Sequence, residues 1–173
     1  MRYKLPELSD EGEILKYIES HHENGVESIS ASNGLTSMEY SDWIKMIHNN
    51  TIVPNGNWCR SITYLVYDSE KMVGLLNIRY EMSEELRLIY GDIGYSVKPT
   101  ERRKGYATQM LKYALEECRN LGMDTVLLGC YKDNIGSIRT IINNGGNWLH
   151  ESEKDGKESL YYEVDLKKIK KYK

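Results

Sequence analysis

A run of cationic residues beside a glycine is the strongest chemical signal in this sequence. The run Arg102–Lys104 is followed directly by Gly105. It stands between a strand-like segment that ends at Val97 and a long segment with helical periodicity. A helix N-terminus presents unpaired N–H groups and the positive end of the helix dipole, and glycine lets the backbone come close to a bulky anion. The segment therefore predicts a cradle for phosphate groups.

Two common phosphate-binding motifs are absent from this region. In a P-loop the lysine follows the glycine, whereas here Lys104 precedes Gly105. The dinucleotide fingerprint Gly-x-Gly-x-x-Gly is also missing. The cradle is therefore neither a P-loop nor a Rossmann dinucleotide site.

Hydrophobic periodicity predicts the elements that position the cradle. Before it, residues 92–97 form a strand with Ile93, Tyr95 and Val97 on one face and Asp92, Gly94 and Ser96 on the other. After it, residues 104–121 form a helix that ends at Gly122. The apolar stripe of this helix consists of Ala107, Met110, Leu111, Ala114, Leu115, Cys118 and Leu121.

The rest of the chain supplies further strands and helices. Strands are predicted over 2–8, 61–67, 72–80, 125–130, 148–151 and 160–165. Helices are predicted after Ser9 and Asp10, over 37–48, and over 135–143 with Asn134 as N-cap. Their expected apolar faces are Ile14, Leu15 and Ile18; Met38, Trp43, Met46 and Ile47; and Ile135, Ile138 and Ile142.

The order of these elements predicts a mixed sheet covered by helices. The order is β-α-α-β-β-β-α-β-α-β-β. The central strand–helix–strand unit needs a crossover, so its two strands are expected to be parallel, and hairpins make the remaining strands antiparallel. No repeat or linker interrupts the order, so we expect one α/β domain over residues 1–173.

Composition limits the class of protein. The chain has 173 residues, of which 40% are hydrophobic and 28% charged, and its net charge of -3 argues against nucleic acid or an anionic membrane as partner. Three widely spaced cysteines suggest reduced thiols in a cytoplasm, and neither they nor the histidines have metal-ligand spacing. No apolar run approaches the roughly 20 residues that span a membrane. We therefore expect a cytoplasmic protein without a metal.

The segment Arg102-Arg103-Lys104-Gly105-Tyr106-Ala107 resembles motif A of the GNAT (GCN5-related N-acetyltransferase) family, Arg/Gln-x-x-Gly-x-Gly/Ala. Asn134 stands where the family usually has an asparagine, and the turn 143–148 resembles the family's glycine turn. The element order is similar to the GNAT fold over nearly the whole chain. The stretch 91–99 also looks like a bacterial branch of predicted acetyltransferases.

This resemblance implies that acetyl-CoA is the co-substrate. Backbone amides of the turn would hold its pyrophosphate, Asn134 would contact its pantetheine arm, and N–H groups near Val97 would stabilise the oxyanion. Asn134 also has the simpler role of a helix cap. The expected cofactor-binding residues are Tyr95, Ser96, Val97, Arg102, Arg103, Lys104, Gly105, Tyr106, Ala107, Thr108, Asn134 and Ser137.

Two catalytic residues are expected, each with an alternative. Asp92 is the candidate base, acting through water, and a plain strand-edge carboxylate is the equal alternative. Many relatives have a tyrosine seven residues after the asparagine as the acid for the thiolate, but Ile141 stands here. We expect Tyr131 to be the acid in its place, with Tyr161 and Tyr162 as further candidates. Alternatively, no acid is needed, because the thiolate leaves readily by itself.

The acceptor is expected to be a primary amine on a small molecule or a peptide, attacked directly in a ternary complex. The protein's selectivity for this acceptor would depend on the first two helices, on Arg79 and Tyr80, and on a loop over 81–90. The loop's Glu81, Glu84 and Glu85 would suit a cationic amine. The protein would act as a monomer or a homodimer.

Two other classes of function remain open. The departure at Ile141 supports a non-catalytic acyl-CoA-binding sensor. A nucleic-acid binder would use Arg102–Lys104 together with the tail Lys167–Lys173, although the net charge of -3 opposes it.

Overall fold

A computed structural model gives the structure of the chain and describes residues 1–54, 56 and 58–169. The strands are β1 (Arg2–Lys4), β2 (Arg60–Asp68), β3 (Lys71–Tyr80), β4 (Ile93–Val97), β5 (Thr125–Tyr131), β6 (Asn147–Lys154) and β7 (Lys157–Asp165). The helices are α1 (Glu11–Glu23), α2 (Tyr40–Asn49), α3 (Glu84–Tyr90), α4 (Tyr106–Asn120) and α5 (Ile135–Asn143). Short 3-10 turns lie at Leu8–Asp10 and Pro99–Glu101.

The strands form two antiparallel sheets side by side. The first has the order β1-β2-β3-β4 and the second has the order β5-β7-β6. In the first, Gly74 of β3 lies opposite Val97 and Ile78 lies opposite Ile93. In the second, Lys154 and Lys157 are the pair that closes the β6–β7 hairpin. The predicted α/β class with a sheet covered by helices is confirmed.

The expected parallel pairing of β4 with β5 is reduced to a junction at one point. The Asp92 N–H donates to the Leu127 carbonyl at 2.7 Å, and the Leu127 N–H donates to Oδ2 of Asp92 at 2.6 Å. Every strand pair that the structure describes is antiparallel. The side chain of Asp92 takes the bond that a carbonyl of β4 would accept in a parallel ladder, so the two strands separate beyond this point.

Two apolar cores hold the helices against the sheets. One lies between the sheets and the pair α4 and α5, and the other lies between β2, β3 and the pair α1 and α2. Burial of such faces is the main stabilising term in folding. Members of the predicted faces that are exposed instead are Leu15, Met38, Leu121, Ile135 and Ile142. In α5 the buried residues are Thr140 and Ile141, of which Ile141 is 1% exposed.

The expected loop over 81–90 contains helix α3. Ser83 is its N-cap, and the Ser83 hydroxyl accepts the Leu86 N–H at 3.4 Å. Glu84 and Glu85 follow in the first turn, where carboxylates interact favourably with the helix dipole. A serine before two acidic residues is a recognisable helix start, so the sequence contained this information.

The basic tail begins in ordinary ion pairs. Lys167 pairs with Asp124 at 2.9 Å and Lys168 with Asp165 at 3.0 Å. The rest of the predicted tail, residues 170–173, lies outside the described residues. Among the described residues, no helix is both long and apolar enough to cross a membrane, and no three possible metal ligands form a group.

Candidate functional site

A groove of about 1170 Å³ runs along the gap between β4 and β5. At one end it is lined by the segment Arg102–Thr108, which we call the cradle loop, and by the start of α5. At the other end it reaches Arg79 and Lys154. Of the twelve residues expected to bind the cofactor, all but Lys104 line this groove.

The cradle loop presents a set of backbone N–H groups to the groove. Arg103 and Gly105 both have left-handed backbone, with φ of 62° and 84°. The first helical bond of this region runs from the Gln109 N–H to the Gly105 carbonyl. In the described structure, no bond is made by the N–H groups of residues 103–108. Alternation of backbone conformation beside a helix start makes a concave anion site.

The cationic side chains of the cradle loop differ in their partners. Lys104 pairs with Glu101 at 2.9 Å, and Glu101 also binds Lys71 at 2.6 Å. These two lysines lower the pKa of Glu101 below its usual value. Arg103 pairs with no carboxylate among the described residues, and Arg102 only donates weakly to the Val97 carbonyl at 3.4 Å. The two arginines therefore supply the charge that is free to meet an anion.

The edge of β4 that faces the groove carries further unpaired donors. The Lys98 N–H donates to Val73 on β3, and residues of an antiparallel strand alternate in direction. The N–H groups of Ile93, Tyr95 and Val97 therefore point away from β3 and into the gap beside β5. Ser96 has a different environment, since its carbonyl and hydroxyl both bond the Tyr17 hydroxyl, at 3.0 and 2.9 Å.

The start of α5 meets β4 across the groove. Oδ1 of Asn134 accepts the Ser137 N–H at 3.0 Å, so Asn134 is a helix cap, and its exposed amide nitrogen remains available. The hydroxyls of Tyr95 and Ser137 lie 2.8 Å apart. Burial raises the pKa of Tyr95 to about 12, so this phenol stays protonated in the neutral range.

Asp92 lies in the junction and not on the groove wall. It is 1% exposed, and Nε of Arg87 lies 2.8 Å from each of its carboxylate oxygens. Arg87 also reaches the Thr125 carbonyl at 2.8 Å. Nη2 of Arg87 and the Leu127 N–H are its other two donors, so this carboxylate ties α3 and β5 to the start of β4.

Tyr131 and Ile141 lie at different depths of the groove. The Tyr131 hydroxyl donates to Asp155 in the β6–β7 turn at 3.3 Å, beside the Lys157 ammonium. Ile141 lies one helical turn after Ser137 and packs in the core. The further candidates are Tyr161 and Tyr162. The Tyr161 hydroxyl donates to the Ile89 carbonyl at 3.1 Å, and Tyr162 does not line the groove.

Two groove residues were not identified from the sequence. His21 is 1% exposed, and its Nδ1 lies 2.8 Å from the Tyr17 carbonyl, while Nε2 has no partner in the described structure. Burial lowers the pKa of His21. Lys154 is the second, and it is the last residue of β6, far along the chain. No spacing in the sequence indicates either residue, because tertiary packing alone brings them to the groove.

Comparison with known proteins identifies the family. The sequence profile of the acetyltransferase (GNAT) family matches residues 34–141, more than half of the chain. The chain belongs to this GNAT family. The matched region includes the cradle loop, β4 and Asn134. No curated protein sequence gave a match.

Solved structures with the same fold include several GNAT acetyltransferases. RimJ of Mycobacterium smegmatis, in complex with CoA disulfide, has a TM-score of 0.73 and 15% identity, covering 98% of this chain and 83% of that one. RimL, a ribosomal L7/L12 α-N-protein acetyltransferase in complex with coenzyme A, has a TM-score of 0.68 and 15% identity, covering 94% and 92%. The microcin C7 self-immunity acetyltransferase MccE, in complex with acetyl-CoA and AMP, has a TM-score of 0.68 and 17% identity, covering 94% and 91%. At these identities the likeness shows the GNAT fold.

Proposed function

We propose that this GNAT protein transfers the acetyl group of acetyl-CoA to a primary amine of a small molecule or peptide. The observation that carries the proposal is the row of unpaired N–H groups at residues 103–108, which opens into the same groove as the free edge of β4. Together they form a phosphate cradle and a line of donors along one continuous path. Several proteins of this fold hold CoA or acetyl-CoA.

The residues present suit this co-substrate. The cradle loop would hold the pyrophosphate through its amides and through Arg102 and Arg103. The amide nitrogen of Asn134 would donate to the pantetheine arm. The Val97 N–H points into the groove, where it would stabilise negative charge that develops on the acetyl oxygen.

Acetyl transfer forms a C–N bond, breaks the C–S bond, releases a proton from the amine nitrogen to solvent and leaves a thiolate that takes up a proton. We propose that Tyr95 supplies this proton or a hydrogen bond. Its hydroxyl meets α5 at Ser137, one turn before Ile141, so β4 offers a phenol close to the position that lacks the family's tyrosine. Tyr131 is the competing candidate, and its hydroxyl is engaged by Asp155.

We propose that Asp92 positions the site and does not act as its base. Its carboxylate is buried with three donors, whereas a base needs a lone pair within reach of the amine. By holding β5 to the start of β4, it fixes the gap in which the thioester would lie.

We also propose that the protein works in a bacterial cytoplasm, as a monomer or a homodimer. Its three cysteines are unpaired, which suits a reducing compartment.

The test is a panel of amines incubated with acetyl-CoA, with free thiol measured over time. We expect amine-dependent thiol release for at least one class of acceptor. Tight CoA binding without thiol release for any amine would contradict transfer and favour a sensor.

A further inference from the structure

The end of the groove opposite the cradle loop is basic. We call it the acceptor end, and its lining includes Ser28, Ser30, Ala31, Arg79, Gly94 and Lys154. The carboxylates that line the groove are Glu101, which directly precedes the cradle loop, and Asp133, which lies just before α5. The three glutamates expected to select a cationic amine do not line it, and Glu81 pairs with Arg60 at 3.0 Å. The basic lining of this end does not support that expectation, which stays a prediction.

Arg79 is held in a fixed orientation at this end. Its Nε donates to the Gly91 carbonyl at 2.9 Å and its Nη2 donates to the Tyr90 carbonyl at 3.0 Å. Neither partner is a carboxylate, and the guanidinium, which stays protonated in proteins, has further N–H groups to donate. A Cβ at Gly94 would lie 3.6 Å from Nη2, and the missing side chain leaves the approach to the guanidinium open.

Lys154 brings a second positive charge to the same place. It is half-buried, and its Nζ lies 4.7 Å from the centre of the Tyr90 ring. No carboxylate of the described chain lies within 4 Å of Lys154 or Arg79. Burial and the charge of Arg79 lower the pKa of Lys154. Asp155 and Asp92 act on Lys154 and Arg79 only from beyond ion-pair distance. An anion bound directly between the two cations would relieve their repulsion.

We propose that the acceptor amine carries an anionic group, a carboxylate or a phosphate, which binds between Arg79 and Lys154. The inference rests on the proposed acetyl transfer, since it identifies which amines the reaction takes. The arginine fork suits the planar or tetrahedral oxygens of such a group, and the lysine adds a mobile point charge. The hydroxyls of Ser28 and Ser30 are additional donors at the same end.

The experiment compares pairs of acceptors that differ only in the anion. Amino acids are compared with their amides, which tests recognition of a carboxylate. O-phosphoethanolamine is compared with ethanolamine, which tests recognition of a phosphate. Thiol release from acetyl-CoA gives kcat/KM for every member. Lys154→Met is the test variant, because methionine keeps an apolar contact with Tyr90. Lys157→Met is the matched control, because Lys157 lies across the same turn, over the Tyr131 ring, and does not line the groove.

We expect an anionic acceptor to be preferred over its neutral partner by roughly tenfold or more. Lys154→Met should raise the KM for that acceptor roughly tenfold, leave the KM for acetyl-CoA unchanged, and abolish most of the preference. Lys157→Met should behave like the wild type. The conservative Arg79→Lys variant should keep part of the preference, because the charge remains while the fork is lost.

The outcomes separate this inference from the proposed function. Turnover that favours neutral amines, or a Lys154→Met variant that matches Lys157→Met, would overturn the anionic acceptor while acetyl transfer stands. A rise in the KM for acetyl-CoA in Lys154→Met would assign the two cations to the co-substrate and also overturn it. If no amine reacts, acetyl transfer fails. Calorimetric titration of CoA-loaded protein with O-phosphoethanolamine then tests whether the anion site exists. The site requires binding that is lost in Lys154→Met and kept in the control Lys157→Met.

Discussion

The Tyr95 hydroxyl is the single group whose role in the reaction is easiest to isolate. It lies on the groove side of β4 and reaches Ser137 on α5. Its raised pKa, about 12, keeps it a donor throughout the neutral range. Sequence comparison draws attention to Ile141, where a hydroxyl is missing, but only the fold shows that a phenol from another element comes close to the same turn.

Replacing Tyr95 with phenylalanine tests the proton donor. We expect Tyr95→Phe to lower kcat roughly hundredfold, with little change in the KM for acetyl-CoA, because a proton donor acts on the leaving thiolate. Tyr131→Phe is the control and should keep a kcat close to that of the wild type. Steady-state thiol release measures both, and the opposite pattern would assign the role to Tyr131.

Asp92 illustrates how the same carboxylate serves either chemistry or structure, depending on its partners. We expect Asp92→Asn to lower the free energy of unfolding by about 3 kcal/mol, since breaking a buried ion pair leaves an uncompensated charge. Arg87→Met breaks the same pair from the other side and should cost a similar amount. Urea unfolding measures the loss, and the activity of the folded fraction should fall to a similar extent in both variants, because either one loosens the hold of β5 on the start of β4. Loss of activity in Asp92→Asn at unchanged stability would make it the base.

At the scale of elements, the unit β4–cradle loop–α4 was predictable because its determinants are local. A strand with clear alternation, a glycine at the helix start and Gly122 at its end all lie within one continuous segment. The pairing of β4 with β5 was not predictable in the same way. It depends on a side chain, Asp92, taking the place of a backbone acceptor for Leu127. Likewise, periodicity assigned the apolar face of α5 to Ile135, Ile138 and Ile142, whereas tertiary packing buries the neighbouring Ile141 and leaves Ile135 and Ile142 exposed.

The two glycines that flank α4 allow a matched test of the cradle loop. Gly105 and Gly122 have φ of 84° and 82°, and an added Cβ would meet no atom within 4 Å at either position. Alanine at each should cost about 1 kcal/mol of stability through backbone strain alone. Only Gly105→Ala should also weaken acetyl-CoA binding, roughly tenfold, because its Cβ would stand where the pyrophosphate approaches. Calorimetry gives the affinity, and equal affinities for the two variants would place the phosphate elsewhere.

At the scale of the whole molecule, the groove exists because two antiparallel sheets meet at one junction and then diverge. The first sheet carries the donors of β4 and the guanidinium of Arg79, while the second carries Lys154 through its β6–β7 hairpin. The fold class and the cradle loop could be predicted from the sequence. The charge of the acceptor end could not, because Arg79 and Lys154 are 75 positions apart in number and only sheet packing brings them together.

The most direct test of the central claim measures both products of one reaction. Free thiol and acetylated amine are quantified together, by thiol titration and mass spectrometry, for the wild-type protein with acetyl-CoA and the best acceptor of the panel. Acetyl transfer predicts equal amounts of the two products, both dependent on the amine. Thiol release without acetylated amine, or no release in the presence of bound CoA, would contradict it.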